Sequence, residues 1–165
     1  MDLEGEVRFA DVAAPANASD KGQGRGVILF DFDNDGDLDV FLTNNHEFSI
    51  EDGKAIRSPA EPTLFRNDTS LPHHWIKVTV EAATPMHRDG LGCKVYLRVG
   101  DITQMRELHA STNFAAQEPG RIAHFGLGAS EVADEIRIEC AGEIVGSKTG
   151  VVADQHIRFK IRLSD

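Results

Sequence analysis

Five aspartates occupy every odd position of one nine-residue stretch, Asp31-Phe32-Asp33-Asn34-Asp35-Gly36-Asp37-Leu38-Asp39. In an extended strand these carboxylates would repel one another with nothing gained in burial. Curled around a hard cation, the same spacing brings the side chains of Asp31, Asp33, Asp35 and Asp39 together. The backbone carbonyl of Asp37 adds a further oxygen, and Gly36 supplies a sharp turn that a Cβ would resist. Calcium accepts about 6–8 oxygen ligands at flexible angles, whereas magnesium holds to a stricter octahedron, so calcium is the expected ion. An EF-hand loop would need a bidentate acid at its twelfth position, and Leu42 stands there. The alternative reading is an acidic, solvated turn without metal.

Other chemistry finds less support. The seven histidines include adjacent His73 and His74, with His46, His87, His109, His124 and His156 dispersed, and no His-x₃-His or Cys-x-x-Cys spacing marks a zinc site. His124 is expected to make a structural hydrogen bond near a strand end. No Gly-x-Ser-x-Gly elbow is present, and carboxylates that hold calcium are occupied and ionised, so no catalytic residue is assigned and the chain is expected not to be an enzyme. Trp75 and Tyr96, on the polar faces of alternating segments, are candidate binding residues for a sugar ring or a protein interface.

The elements that position these residues read as strands. Gly26-Val-Ile-Leu-Phe30 and Leu38-Asp-Val-Phe-Leu-Thr43 are short, β-branched and aromatic-rich, which places the acidic loop inside a β-hairpin. A short strand is expected at Val7-Arg-Phe9, a loop from His46 to Pro62, and strand character again at Thr63-Leu-Phe-Arg66. From Trp75 the alternation is strict. Ile76, Val78 and Val80 oppose Trp75, Lys77 and Thr79, and Val95, Leu97 and Val99 oppose Lys94, Tyr96 and Arg98. Ile157, Phe159, Ile161 and Leu163 oppose His156, Arg158, Lys160 and Arg162. Period-two strands with one wet face indicate an antiparallel sandwich or barrel. The expected fold is all-β, a calcium hairpin sheet packed with a C-terminal antiparallel β-sandwich or barrel. Cys93 and Cys140 both alternate with apolar residues and read first as buried free thiols, with a disulfide between them as the alternative.

A chain of 165 residues makes one medium domain or two small dependent ones. The formal charge of −10 opposes nucleic acid and anionic membrane partners, and no apolar run is long enough for membrane insertion. Met1-Asp-Leu-Glu-Gly-Glu6 lacks a basic n-region and an apolar h-region, so no signal peptide is expected, and the chain is read as the mature part of a longer precursor.

Gly26 to Asn45, with Phe9-Ala-Asp-Val12 before it and Leu64-Phe-Arg-Asn67 after it, resembles one FG-GAP/VCBS repeat. Arg88-Asp-Gly-Leu-Gly92, Gln104-Met-Arg-Glu107, Phe114-Ala-Ala-Gln117 and His124-Phe-Gly-Leu-Gly128 are similar in order and spacing to the ASPIC/UnbV domain. His87, Cys93 and Glu139-Cys-Ala-Gly142 depart from that domain's usual residues. The pair of resemblances is that of the cartilage acidic protein-like family. It implies an FG-GAP/VCBS-like calcium-binding repeat at 1–72 and an ASPIC/UnbV-like β domain at 73–165, in an extracellular or cell-surface protein. The expected function is a non-enzymatic calcium-binding module for adhesion, protein interaction or self-assembly. The alternative is a calcium-dependent carbohydrate-binding module. Such repeats form propeller blades, and no second Asp-x-Asp-x-Asp-Gly occurs here. One blade does not close a propeller, so a protein partner or self-association is expected to cover it.

Overall fold

The structure is a computed structural model that describes residues 9–69, 72–82, 88–110 and 121–161. Among these residues eleven strands form three sheets, with no helix and therefore none long and apolar enough to cross a membrane. The first sheet is built from β1 (Gly22–Phe30), β2 (Asp39–Glu51), β3 (Lys54–Pro59) and β4 (Thr63–Phe65), with β2 pairing all three others. β5 (His74–Ala82) lies between β8 (Ala123–Gly128) and β11 (Gln155–Ile161) in a three-stranded sheet. The third sheet runs β10-β9-β6-β7, from β6 (Lys94–Val99), β7 (Ile102–Glu107), β9 (Val132–Cys140) and β10 (Glu143–Val152).

The alternation read from Trp75 onward sets the core. Ile76, Val78 and Val80 of β5, Phe125 of β8, and Ile157, Phe159 and Ile161 of β11 join Val95 and Leu97 of β6 and Ile136 and Ile138 of β9 in one buried cluster. Two sheets clasping their inner faces in this way form an all-β, sandwich-like body, and neither closes into a barrel. Leu163 and the Phe114-Ala-Ala-Gln117 motif lie outside the described residues.

Four expectations need correction or limits. The sandwich is not wholly antiparallel: β11 runs parallel to β5, from Gln155↔Ile76 to Ile161↔Ala82. Residue alternation specifies which side chains face inward but not strand direction. The segment from His46 to Pro62 is not a loop, because β2 continues to Glu51 and folds back into β3. Asp52 and Gly53 both have positive φ, 51° and 75°, the backbone of a two-residue type I′ hairpin turn. Cys93 and Cys140 are not free thiols but a disulfide with Cα atoms 4.3 Å apart. The β6–β9 pairing Lys94↔Glu139, continued by one residue, sets them opposite each other. The Val7–Phe9 strand falls mostly outside the described residues, and Phe9 itself precedes the first strand and is 95% exposed.

The first sheet contrasts with the other two. Among the described residues every buried hydrophobic side chain lies at or after Ile76. Cross-strand pairing puts Val27, Leu29, Val40, Leu42 and Phe65 on one face and Ile28, Phe30, Phe41 and Leu64 on the other. Both faces are apolar and neither has a core of its own.

Candidate metal centre and its seam with the C-terminal sheet

The acidic loop spans the turn from the end of β1 to the start of β2, as the hairpin reading requires, and Phe30 pairs with Asp39 at its neck. Asp39 is fully buried. Its Oδ2 accepts a hydrogen bond from the Phe32 amide at 2.6 Å, and its Oδ1 accepts one from the Asn67 amide at 2.8 Å. One carboxylate therefore ties the loop to the segment that follows β4. Asn34 and Gly36 adopt positive φ, 64° and 103°, and reverse the chain between them. The Gly36 amide donates to Asp31 Oδ2 at 2.9 Å, and the Asp37 amide to Asp35 Oδ1 at 2.9 Å.

Asp31, Asp33 and Asp39 converge, each offering a carboxylate oxygen within 4.8 Å of the others. Asp35 and Asp37 are not in this group; the Asp35 carboxylate turns back to cap its own loop. These three aspartates are the convergent group of potential metal ligands among the described residues. The donor set is all hard oxygen. Asp31 Oδ1 is buried without a hydrogen-bond partner, and Asp33 is exposed and open to water. A buried carboxylate oxygen left without a donor is costly unless a cation meets it. The residues present therefore fit a calcium ion, with water and backbone carbonyls to complete its shell.

The loop docks on β5 and β8. A Cβ on Gly36 would lie 1.8 Å from Trp75 Nε1, so only glycine lets the loop backbone reach the indole. His124 Nε2 donates to the Gly36 carbonyl at 2.8 Å, and its ring stacks on Trp75 with centroids 6.3 Å apart and planes 14° from parallel. His124 thus makes a structural hydrogen bond, as its place at a strand end suggests. Burial, opposed in part by that bond, lowers its pKa and so favours the neutral imidazole. Lys77 reaches out from the same sheet, its Nζ 2.5 Å from Asp31 Oδ2 and 4.9 Å from the Trp75 ring centre. Alternation puts Lys77 on a wet face, yet it is only 6% exposed because the loop covers it. No local pattern around residue 77 signals this, since its partner lies far upstream in the chain.

The two candidate aromatic residues are not an open platform. Trp75 is half-buried beneath Gly36 and His124. Tyr96, half-buried on a different sheet, lies under the Arg137 guanidinium at 4.9 Å. A cavity of about 730 Å³ does open along the seam, between the loop residues Asp31, Asn34 and Gly36 and the sheet residues Trp75 and Lys77. Five of the seven histidines line it, His73, His74, His109, His124 and His156. His74 Nδ1 lies 2.7 Å from Asp154 Oδ2, a bond that leads the lowering of the Asp154 pKa. The His156 pKa is lowered mainly by burial, with Arg158 and Lys77 adding to it. His109 Nδ1 is buried in the wall with no hydrogen-bond partner.

Residues 83–162 match the family described as ASPIC and UnbV. An ASPIC and UnbV domain is therefore present in the C-terminal half of the chain. No curated protein matches the chain. The matched span begins just after β5, although β5 is the central strand of its sheet. That strand also carries Trp75 and Lys77, so the docking residues lie on a strand that precedes the match.

Proposed function

We propose that the chain is a non-enzymatic, calcium-binding β module of an extracellular or cell-surface protein, serving adhesion, protein interaction or self-assembly. In this reading residues 1–72 form an FG-GAP/VCBS-like repeat and residues 73–165 an ASPIC/UnbV-like domain. The observation that carries it is Asp31, buried beside Asp33 and Asp39 with one carboxylate oxygen unpartnered. The disulfide between Cys93 and Cys140 supports an oxidising compartment.

Titration calorimetry is expected to show one calcium bound per chain, and Asp33→Asn to abolish binding. Asp33 suits this test because its side chain is exposed and supports little of the fold. A ligand present at a hundredfold excess over its Kd stabilises the folded state by about 2.7 kcal/mol. A chelator should lower the melting temperature accordingly, and an unchanged melt would end the calcium reading.

Self-assembly rests on the first sheet. Val27, Leu29, Phe48 and Ile50 are exposed, and neither face of this sheet contributes to the buried core. A second copy of the chain would cover such a surface in a closed, symmetric dimer. Sedimentation at micromolar protein should show self-association that weakens on chelation, since the metal would fix the hairpin forming the contact. A monomer in calcium at all concentrations would contradict it.

A second reading, a calcium-dependent carbohydrate-binding module, draws support from the seam cavity, whose volume lies in the range of ligand sites. Glycan-array hits that disappear with chelator would favour it over protein interaction.

A further inference from the structure

The C-terminal sheet places a cation of its own at the acidic loop. Lys77 Nζ lies 2.5 Å from Asp31 Oδ2, and the two side chains are 8% and 2% exposed. A second contact, to Asn34 Oδ1 at 3.4 Å, keeps the ammonium over the loop. The other Asp31 oxygen, Oδ1, is buried with no hydrogen-bond partner, so one oxygen of this carboxylate meets an ammonium and the other meets no donor. Three converging carboxylates and one lysine carry a net charge of −2 rather than −3.

We infer that Lys77 is a built-in competitor for the cation site, setting its calcium affinity and coupling occupancy of the loop to its docking on β5. This rests on the calcium reading above and adds to it. Calcium affinity follows the number and charge of the ligands. An ammonium already paired with Asp31 both opposes the arriving dication and must loosen from a carboxylate that the ion would share. Calcium then replaces the Lys77–Asp31 contact, while Gly36, Trp75 and His124 continue to hold the loop. Without calcium the lysine neutralises Asp31 and pins the loop to the sheet. The site is therefore tuned weak, as suits a module that meets calcium at high concentration.

The test is a calcium titration of the full chain in three variants. Lys77→Met keeps the unbranched apolar stem and removes the charge; Lys77→Gln keeps a donor without the charge; Lys77→Arg keeps the charge. Both neutral variants are expected to bind calcium about tenfold or more tightly, on the scale over which charge count tunes such loops. Lys77→Arg should stay close to the wild type. In chelator the neutral variants should melt earlier than the wild type, and calcium should raise their melting temperature by more. A merely structural lysine would give the opposite, with affinity falling as the loop loosens. Should Lys77→Met not fold without calcium, Lys77→Gln titrated from the loaded side against a chelator of known affinity gives the same reading. Equal or weaker affinity in the folded neutral variants, with wild-type binding intact, overturns this inference alone. Calcium binding by neither wild type nor neutral variants overturns it together with the calcium reading. Binding by the neutral variants alone would support the competition but end the calcium reading of the wild-type chain.

Discussion

Asp39→Ala should cost about 3–5 kcal/mol, because it removes two backbone-to-carboxylate hydrogen bonds, each worth about 1.5–3 kcal/mol when one partner is charged. The Phe32 and Asn67 amides would lose the acceptor they now share, and Asp39 is fully buried, so water cannot readily replace it. The measurement is urea unfolding in chelator, so that loss of metal does not enter the difference. Asp39→Asn should cost less than the alanine change: one oxygen still accepts, while the new NH₂ group confronts an amide donor. Since no buried hydrophobic residue of the first sheet reinforces it, the loss should concentrate there. Hydrogen exchange should rise across residues 22–65 with little change in β6 and β9. A loss below about 1 kcal/mol would show that Asp39 is held for the metal alone and not as a clasp.

The extent to which this arrangement was readable in the chain depends on how local each cause is. Alternation from Trp75 is a property of neighbouring residues, and it placed Ile76, Val78, Val80, Val95, Leu97, Ile157, Phe159 and Ile161 in the core, where they lie. The hairpin around the acidic loop was legible for the same reason. The β2–β3 hairpin was also within reach, since Asp52-Gly53 is a strong two-residue turn signal. It was obscured by two prolines and by polar residues, and an exposed hairpin has no wet-dry contrast to show.

Non-local causes were hidden. The parallel pairing of β5 with β11 joins segments at opposite ends of the C-terminal half, and nothing in either strand states the direction of its neighbour. Which of the five aspartates converge is set by the path of the folded loop and not by its amide bonds: Asp31, Asp33, Asp35 and Asp39 each accept a loop amide, yet it is Asp31, Asp33 and Asp39 that face one another. The burial of Lys77 and the gathering of five histidines along one seam depend on docking between strands far apart in sequence. The disulfide was half legible, since both cysteines could be placed facing inward but the register that sets them opposite each other could not.

That disulfide carries the other large expected effect. It joins residues 47 apart in sequence, one just before β6 and one at the end of β9, adjacent strands in the middle of their sheet. Closing a loop of that length removes unfolded-state entropy worth about 4 kcal/mol in the chain-entropy model, and measured values run about 2–4 kcal/mol. Cys93→Ala with Cys140→Ala should therefore destabilise the protein by about 2–4 kcal/mol, at about 2–4 °C of melting temperature per kcal/mol for a chain of this size. Both cysteines are buried, 2% and 5% exposed, so reductant added to the folded protein should act only as fast as the sheet opens. In denaturant the same reductant should cleave the bond at once. Alkylation of unfolded, unreduced protein should label neither cysteine, and complete labelling would show that the thiols are free. Calcium affinity should be unchanged in the double variant, because neither cysteine belongs to the loop or to the residues that grip it. A fall in affinity would instead mean that the sandwich and the loop rise and fall together, with β5 transmitting strain from one to the other.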